Sequence, residues 1–315
     1  MNFARYLLLF VSVVDVSGYN VNNEQKSLYK KAVAKNLKKP FVSPLKSSAA
    51  NAIPLSSRGP CPVDIKEKLA DPPNYAYWFH PQIHTFGNTG LLGGLHAAVA
   101  PLVTLLIDVG AYDGENVRDK ISTELRKIVG KTGANVVDLC CGVGTSTRAL
   151  QKSFGDANNI VGVDTSPEMI AMAEVLSTDN IVSRCFTSHD PPCVGACDTS
   201  YTIGNAEQTN LPAASFDLVT IMYAFHEAPY LGRYRILREA RRLLVPGGTL
   251  AVIDISPDYQ PSPTMLAGEP YVLEYKKNIP EQMRRVQGFG SCHYSEIIEG
   301  HVGKWILTRK TPFPW

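Results

Sequence analysis

The stretch Val136-Val137-Asp138-Leu139-Cys140-Cys141-Gly142-Val143-Gly144-Thr145-Ser146-Thr147 constrains this chain more than any other. An apolar run with an acid near its end passes through two glycines and opens into Arg148-Ala149-Leu150. That pattern predicts a buried strand, a tight loop and a helix N-terminus. Gly142 and Gly144 permit backbone angles closed to other residues and let a ligand approach the main chain. Such a loop suits several nucleotide-like ligands. A second strand, Ile160-Val161-Gly162-Val163, ends in Asp164, 22 residues beyond Gly142, and Ser166-Pro167-Glu168-Met169 starts another helix. A carboxylate at the tip of the second strand of a β-α-β unit is placed to accept hydrogen bonds from two ribose hydroxyls. The competing local reading is an Asp that only caps the following helix.

The alternation continues. Asn116–Val129 has helical spacing, with Val117, Ile121, Leu125 and Ile128 on one face. Pro167–Leu176 is an amphipathic helix, and Thr199–Ile203, Phe216–Met222 and Thr249–Ile253 read as strands. Tyr230–Leu244 is a basic helix stopped by Pro246-Gly247-Gly248. A long helix, bent at Pro280, is expected over Glu269–Val286, and Ser295–Glu299 with Val302–Thr308 read as a hairpin turning at Gly300. Strands alternating with helices imply a mostly parallel sheet covered on both faces.

Charge divides the 315 residues unevenly. Residues 1–60 carry nine Lys and Arg against two acids, so the net +2 of the whole hides a negative remainder. A folded part of that sign is a poor nucleic-acid binder. Met1–Arg5 is short and basic, Tyr6–Val14 is apolar, and Ser17-Gly18 resembles a cleavage region. Lys26–Arg58 contains no acid. The expectation is a signal peptide followed by a transit-like segment, leading to an organelle reached by the secretory route, such as a plastid. The alternative is a plain signal peptide and linker, with a secreted or endomembrane-lumen product. Residues 61–116 are expected to form a helical cap and 117–315 the main domain. Tyr75, Tyr77, Trp78, Phe79, His80, His84 and Phe86 crowd ahead of an uncharged run from Thr85 to Ile107. Its glycines and Pro101 argue against a membrane span and for a cap helix or helix pair over the site. Peripheral contact with a bilayer stays open.

Seven cysteines make no disulfide framework in a chain this long. Cys140 and Cys141 read as packing residues, not nucleophiles. Cys185, His189, Cys193 and Cys197 follow at steps of four, but Pro191-Pro192 and Gly195 prevent one helix from presenting them together. Their spacing matches no common zinc pattern. An exposed loop of thiols is the reading adopted, without a metal; a zinc site and a Cys193–Cys197 disulfide are the alternatives.

Taken in order, four motifs resemble the class I S-adenosylmethionine-dependent methyltransferases, nearest the branch of ubiquinone and menaquinone C-methyltransferases. They are Asp138-Leu-Cys-Cys-Gly-Val-Gly144, Val163-Asp-Thr-Ser-Pro-Glu-Met169, Gly204-Asn-Ala-Glu207 with Leu211-Pro212 and Ser215-Phe-Asp217, and Glu239-Ala-Arg-Arg-Leu-Leu-Val-Pro-Gly-Gly248. Many relatives have Gly where Cys140 stands and Asp where Asn205 stands, and residues 178–198 are additional. The resemblance implies an α/β, doubly wound Rossmann-like sheet of seven strands in the order 3-2-1-4-5-7-6, the last antiparallel. It implies S-adenosyl-L-methionine held by Asp138, Cys140, Gly142 and Gly144 around its methionine part. Asp164 would meet the ribose, Thr165, Met169, Asn205 and Ala206 the adenine, and Met222 the sulfonium. His226, in Tyr223-Ala-Phe-His-Glu227, is the candidate base, with Tyr223 beside it; the alternative is a structural histidine. Tyr77, Trp78, His80 and His84 are candidates for the acceptor pocket. The expected activity is methyl transfer to a small molecule, a quinol or another aromatic or lipid-soluble metabolite, by a monomer or weak dimer. The rivals are S- or N-methylation of a polar metabolite, a nicotinamide-dependent oxidoreductase, and a non-catalytic cofactor-binding subunit. Thr147 stands where the oxidoreductases usually carry a third glycine.

Overall fold

The computed structural model describes residues 77–79, 88–112, 116–178 and 197–311. The leader, His80, His84, Phe86, Cys185, His189 and Cys193 lie outside the described residues, and the localisation, zinc and disulfide expectations fall there with them. The chain divides into two compact units, Met1–Asp71 and Pro72–Trp315, and every described residue belongs to the second.

That unit holds α1 (Gly90–Ala111), α2 (Val117–Val129), β1 (Asn135–Leu139), α3 (Thr145–Ser153), β2 (Asn159–Asp164), α4 (Pro167–Ser177), β3 (Asp198–Ile203) and β4 (Phe216–Met222). It continues with α5 (Tyr230–Leu243), β5 (Leu244–Ile255), α6 (Pro263–Gly268), α7 (Val272–Arg285), β6 (Phe289–Ile298) and β7 (Val302–Arg309). The seven strands lie in the order β3-β2-β1-β4-β5-β7-β6, as the resemblance implied. Strands β1 to β5 run parallel, and β7 enters antiparallel to both β5 and β6.

Alternate residues of each central strand feed opposite cores, as the period of two requires. Val137, Val219 and Val252 pack with Leu237 of α5 and Ile279 of α7. Val136, Leu218 and Ala251 pack on the other face with Ile121 of α2 and Leu150 of α3. Burying one such Leu or Ile stabilises the fold by about 1.5 to 3 kcal/mol. Ile128, expected on the inner face of α2, is instead 43% exposed at the helix's last turn.

Two further boundaries differ from expectation. Leu244 already pairs with Phe216, so α5 passes straight into β5, and Pro246-Gly247-Gly248 lies within the irregular start of that strand. The segment expected as one helix from Glu269 begins at Val272, after the separate short helix α6; Pro280 lies inside α7. The described residues of the run from Thr85 form one helix, α1, with Pro101 inside it. No helix of the described residues is long and apolar enough to cross a membrane. Helix α1 packs on α4, and Glu168 at the start of α4 accepts the Gly90 N–H at 2.7 Å. A Cβ on Gly93 would sit 2.5 Å from the Asn88 carbonyl carbon, so only glycine lets the chain turn this tightly into α1.

Candidate active site

The C-terminal ends of β1, β2, β3 and β4 meet at a cavity of about 200 Å³, with α1 along one side. This is where open α/β sheets bind ligands, outside the strand ends where the strand order reverses. Gly142 (φ 53°) and Gly144 (φ 74°) are both left-handed. Their tasks differ. A Cβ on Gly142 would meet nothing within 4 Å, so this residue leaves open space at the cavity wall. A Cβ on Gly144 would fall 2.8 Å from the Tyr201 ring, so this glycine serves the packing of the loop on β3. Gly144 is also the N-cap of α3 and offers no side chain to the first turn. The uncapped start of α3 reaches the cavity at Thr145 and Ser146, where unpaired N–H groups and the helix dipole favour a carboxylate.

Asp164 lines the cavity and fastens the loop to it: Oδ2 accepts the Gly142 N–H and Oδ1 the Ser166 N–H, each at 2.9 Å. Ser166 is the N-cap of α4, with its Oγ accepting from Met169 N at 3.2 Å, so Asp164 is not the helix cap. A carboxylate has about four acceptor positions, so holding the loop does not exhaust it. Thr165, Met169, Asn205 and Ala206 line the same side. The Asn205 Oδ1 accepts the Glu207 N–H at 2.9 Å and so shapes the β3 exit loop as well. Met222 and Tyr223 stand at the tip of β4 in the opposite wall. Tyr223 is left-handed (φ 59°), pinned by its N–H to the Ile253 carbonyl at 2.8 Å, with the Arg118 guanidinium 4.5 Å from its ring centroid.

Two residues assigned to the site stand behind it. Asp138 is 1% exposed and does not reach the cavity. Its oxygens accept the Thr147 and Thr220 hydroxyls, both at 2.7 Å, tying β1 to the first turn of α3 and to β4. Burial pushes its pKa up to about 6, against the pull of those hydroxyls. Thr147, the position of the oxidoreductases' third glycine, is thus committed to the loop. His226 also lies off the cavity wall, in the buried turn Phe225–Glu227 after β4. Its Nδ1 is 2.5 Å from Asp254 Oδ1, and the same carboxylate accepts the backbone N–H groups of Phe225, His226 and Ile255. Burial alone would lower the imidazole pKa; Asp254 outweighs it and raises it to about 9. Glu227 is the member of this turn that reaches the cavity, with Oε1 3.8 Å from His226 Nε2.

Tyr77 and Trp78 also line the cavity, their rings edge to face at 5.1 Å, joined by His96, Ala100 and Thr104 from one face of α1. Sequence reasoning passed over Arg118 because it falls on the polar side of α2. Asp254 did leave a signal: a lone acid inside the apolar run Ala251-Val252-Ile253-Asp254-Ile255. Cys197, of the additional segment, is half-buried with Sγ 3.7 Å from Thr199 Oγ1.

A parallel sheet closed by an antiparallel β7, with a bare glycine loop and an acid on neighbouring strand tips, defines a nucleoside-binding Rossmann-like protein of the methyltransferase type. The family described as "Methyltransferase domain" matches residues 137–252. A demethylmenaquinone methyltransferase of Lactococcus lactis is 29% identical over 184 residues, 58% of this chain and 61% of that protein. A ubiquinone/menaquinone biosynthesis C-methyltransferase of Hydrogenovibrio crunogenus is 28% identical over 65% of this chain and 72% of its own length. A solved SAM dependent methyltransferase from Aquifex aeolicus aligns with 60% of this chain and 89% of its own, at 19% identity and a TM-score of 0.42. The chain spans less than two thirds of the Lactococcus relative. The chain is thus similar to the S-adenosylmethionine-dependent methyltransferases, the ubiquinone and menaquinone enzymes among them, with the family match lying within residues 137–252.

The cavity fits the family's cofactor. Gly142 leaves space at the wall, the α3 N-terminus suits its carboxylate, and Asp164 stands where ribose hydroxyls are held.

Proposed function

We propose that this protein methylates a small, lipid-soluble aromatic acceptor of the quinol type, using S-adenosylmethionine. The observation that carries the reading is one cavity with two unlike walls. The strand-tip loops and Asp164 form one; Tyr77, Trp78, Ala100 and Tyr223 supply an aromatic and apolar stock to the other, with Arg118 and Glu227 as its charged groups. The printed names of the two curated relatives, both methyltransferases of quinone biosynthesis, support the same acceptor class. A polar acceptor would be matched by more charge from the cap helix, where His96 is the one titratable group among the described side chains of α1 that lines the cavity.

When bound, the cofactor supplies a methyl group on a positively charged sulfur, which needs only an in-line nucleophile. The chain's contribution is therefore position and the exclusion of water. The glycine loop and Asp164 fix one reactant. Helix α1 with Tyr77 and Trp78 screens the cavity and orients the other. Calorimetry is expected to show binding of S-adenosylmethionine and none of NADH. Incubation with a reduced, short-chain demethylmenaquinone should then give the methylated quinol by mass spectrometry. Binding of NADH in place of S-adenosylmethionine would sink the assignment.

A further inference from the structure

Among the titratable groups around the cavity, Glu227 is set apart by its company. It closes the buried turn after β4, lines the cavity next to Tyr223 and Ala224, and exposes only 16% of its side chain. His226 faces it from the same turn, with Nε2 3.8 Å from Oε1. Asp254 at the end of β5 backs His226, and the ligand atoms of His226, Glu227 and Glu269, the last from the segment after α6, lie within 4.8 Å of one another. Asp164 at the tip of β2 also acts on Glu227 electrostatically, and Cys140 of the β1 loop feels Glu227 in turn. Glu227 is thus held among three carboxylates with one imidazole to offset them.

We propose that Glu227 is the proton acceptor of the transfer step, brought to its charged form by the cationic cofactor and held in place by the His226–Asp254 pair. The inference rests on the function proposed above. Burial raises the Glu227 carboxyl to about 8, with Asp254 and Asp164 adding to the shift and His226 opposing it. Near neutrality, without ligand, it therefore holds a proton. A sulfonium entering the cavity that Glu227 shares with Asp164 favours the carboxylate, as any opposite charge does. The acceptor's hydroxyl proton then passes to Glu227 as its oxygen, or the ring carbon it activates, bonds to the methyl carbon; in the second case that carbon's own hydrogen afterwards leaves as a proton to solvent and Glu227 returns the hydroxyl proton to the oxygen. The electron pair of the broken carbon–sulfur bond stays on sulfur, leaving a neutral thioether. His226 takes no part in this exchange: Asp254 holds its Nδ1, and it positions Glu227 from behind the wall.

The test begins without the acceptor. Calorimetry of S-adenosylmethionine binding at pH 7, in buffers of different ionisation enthalpy, should count close to one proton released per site from a carboxyl that titrates at about 8. S-adenosylhomocysteine, with a neutral sulfur, should release far less, and Glu227→Gln should release almost none while binding S-adenosylmethionine about 10-fold more weakly at pH 7, as the linkage of charge to binding requires. No release by the wild type, or equal release by Glu227→Gln, overturns the proposal and leaves the cofactor assignment intact; absence of binding by the wild type removes the assignment itself. With reduced demethylmenaquinone as acceptor, Glu227→Gln should lower kcat about 100-fold or more at saturating cofactor. His226→Asn should shift the pH profile of kcat, with Glu227→Asp restoring part of the Glu227→Gln loss. Activity lost to a chelator and restored by a divalent cation would instead give His226, Glu227 and Glu269 to a metal and overturn the proposal.

Discussion

At the β1–β2 end of the cavity most wall residues come from one β-α-β unit, residues 135–177, joined by Gly204, Asn205 and Ala206 of the β3 exit loop. At the opposite end the wall is assembled from Tyr77, His96 of α1, Arg118 of α2, and Tyr223 and Glu227 after β4, positions up to 150 residues apart. The first end is a local structure whose geometry two glycines and a carboxylate specify. The second exists only once α1 has docked on α4 and Asp254 has gathered the turn at Phe225–Glu227. A shared cofactor site beside an acceptor pocket made of scattered pieces is how one fold serves many acceptors.

The largest effect expected at the local end comes from Asp164→Ala. Its carboxylate serves the Gly142 and Ser166 N–H groups and, in the proposed function, the ribose; hydrogen bonds to a charged group contribute about 1.5 to 3 kcal/mol each. Affinity for S-adenosylmethionine should fall about 100-fold or more by calorimetry. An unchanged affinity would falsify the division of labour between the two ends, since Asp164 is the one acid among the described residues that lines the cavity at the β2 tip. Gly144→Ala should act on stability instead. The left-handed backbone and a Cβ 2.8 Å from Tyr201 cost about 2 to 4 kcal/mol together, lowering Tm by roughly 5 to 15 °C. A neutral outcome would mean that β3 can yield at Tyr201 and that the loop is less fixed than its packing indicates.

The same contrast governs what the residues alone disclose. The loop at Gly142, the acid at Asp164 and the sheet order were legible because each follows from spacing along a contiguous stretch or from an ordered set of motifs. The individual tasks were less so. Asp138 belongs to the loop motif, yet it works on Thr147 and Thr220 behind the wall, and that partnership needs β4 alongside β1. His226 drew notice because imidazole titrates near neutrality, but the turn after β4 puts Glu227, one residue on, at the cavity. Arg118 and Ile128 of α2 show the limit of helical periodicity: it separates faces and does not tell which end of a face meets a cavity or solvent.

The acceptor end makes its own prediction through pH. Both His226 and Glu227 hold their protons more tightly folded than unfolded, at about 9 against an ordinary 6.5 and at about 8 against 4.5. The His226–Asp254 pair contributes stability that is complete below pH 6.5 and lost as pH rises through 9. The buried Glu227 adds a penalty that grows from pH 4.5 and is complete above 8. The native state thus binds more protons across this range, so stability falls as pH rises. Thermal melts from pH 6 to 9.5 without ligand should show Tm declining, and Glu227→Gln should flatten the lower part of that decline. A Tm that climbs with pH would show that the cluster is already ionised in the free protein. Near-saturating S-adenosylmethionine should also flatten it, since the cation favours the carboxylate that the empty cavity disfavours.

The smallest effect tests whether a side chain matters at all where the main chain does the binding. Cys140 adopts a left-handed backbone (φ 60°), where glycine is at ease and an L-residue is strained by about 1 to 2 kcal/mol. Its thiol lies against the apolar core cluster, which returns some of that strain as buried surface. Burial first, then the charges of Asp164 and Glu227, raise the thiol pKa well above its usual value, so at neutral pH it is a protonated packing group and a poor nucleophile. Cys140→Gly relieves the strain, gives up the packing and adds unfolded-state entropy. These contributions oppose one another, and stability should change by less than about 1 kcal/mol, with cofactor affinity within a few-fold of wild type. Loss of methyl transfer in Cys140→Gly with cofactor affinity intact would overturn the packing role and move the thiol into the chemistry. Retention of both would place the whole task of the loop in its backbone, as the open space at Gly142 indicates.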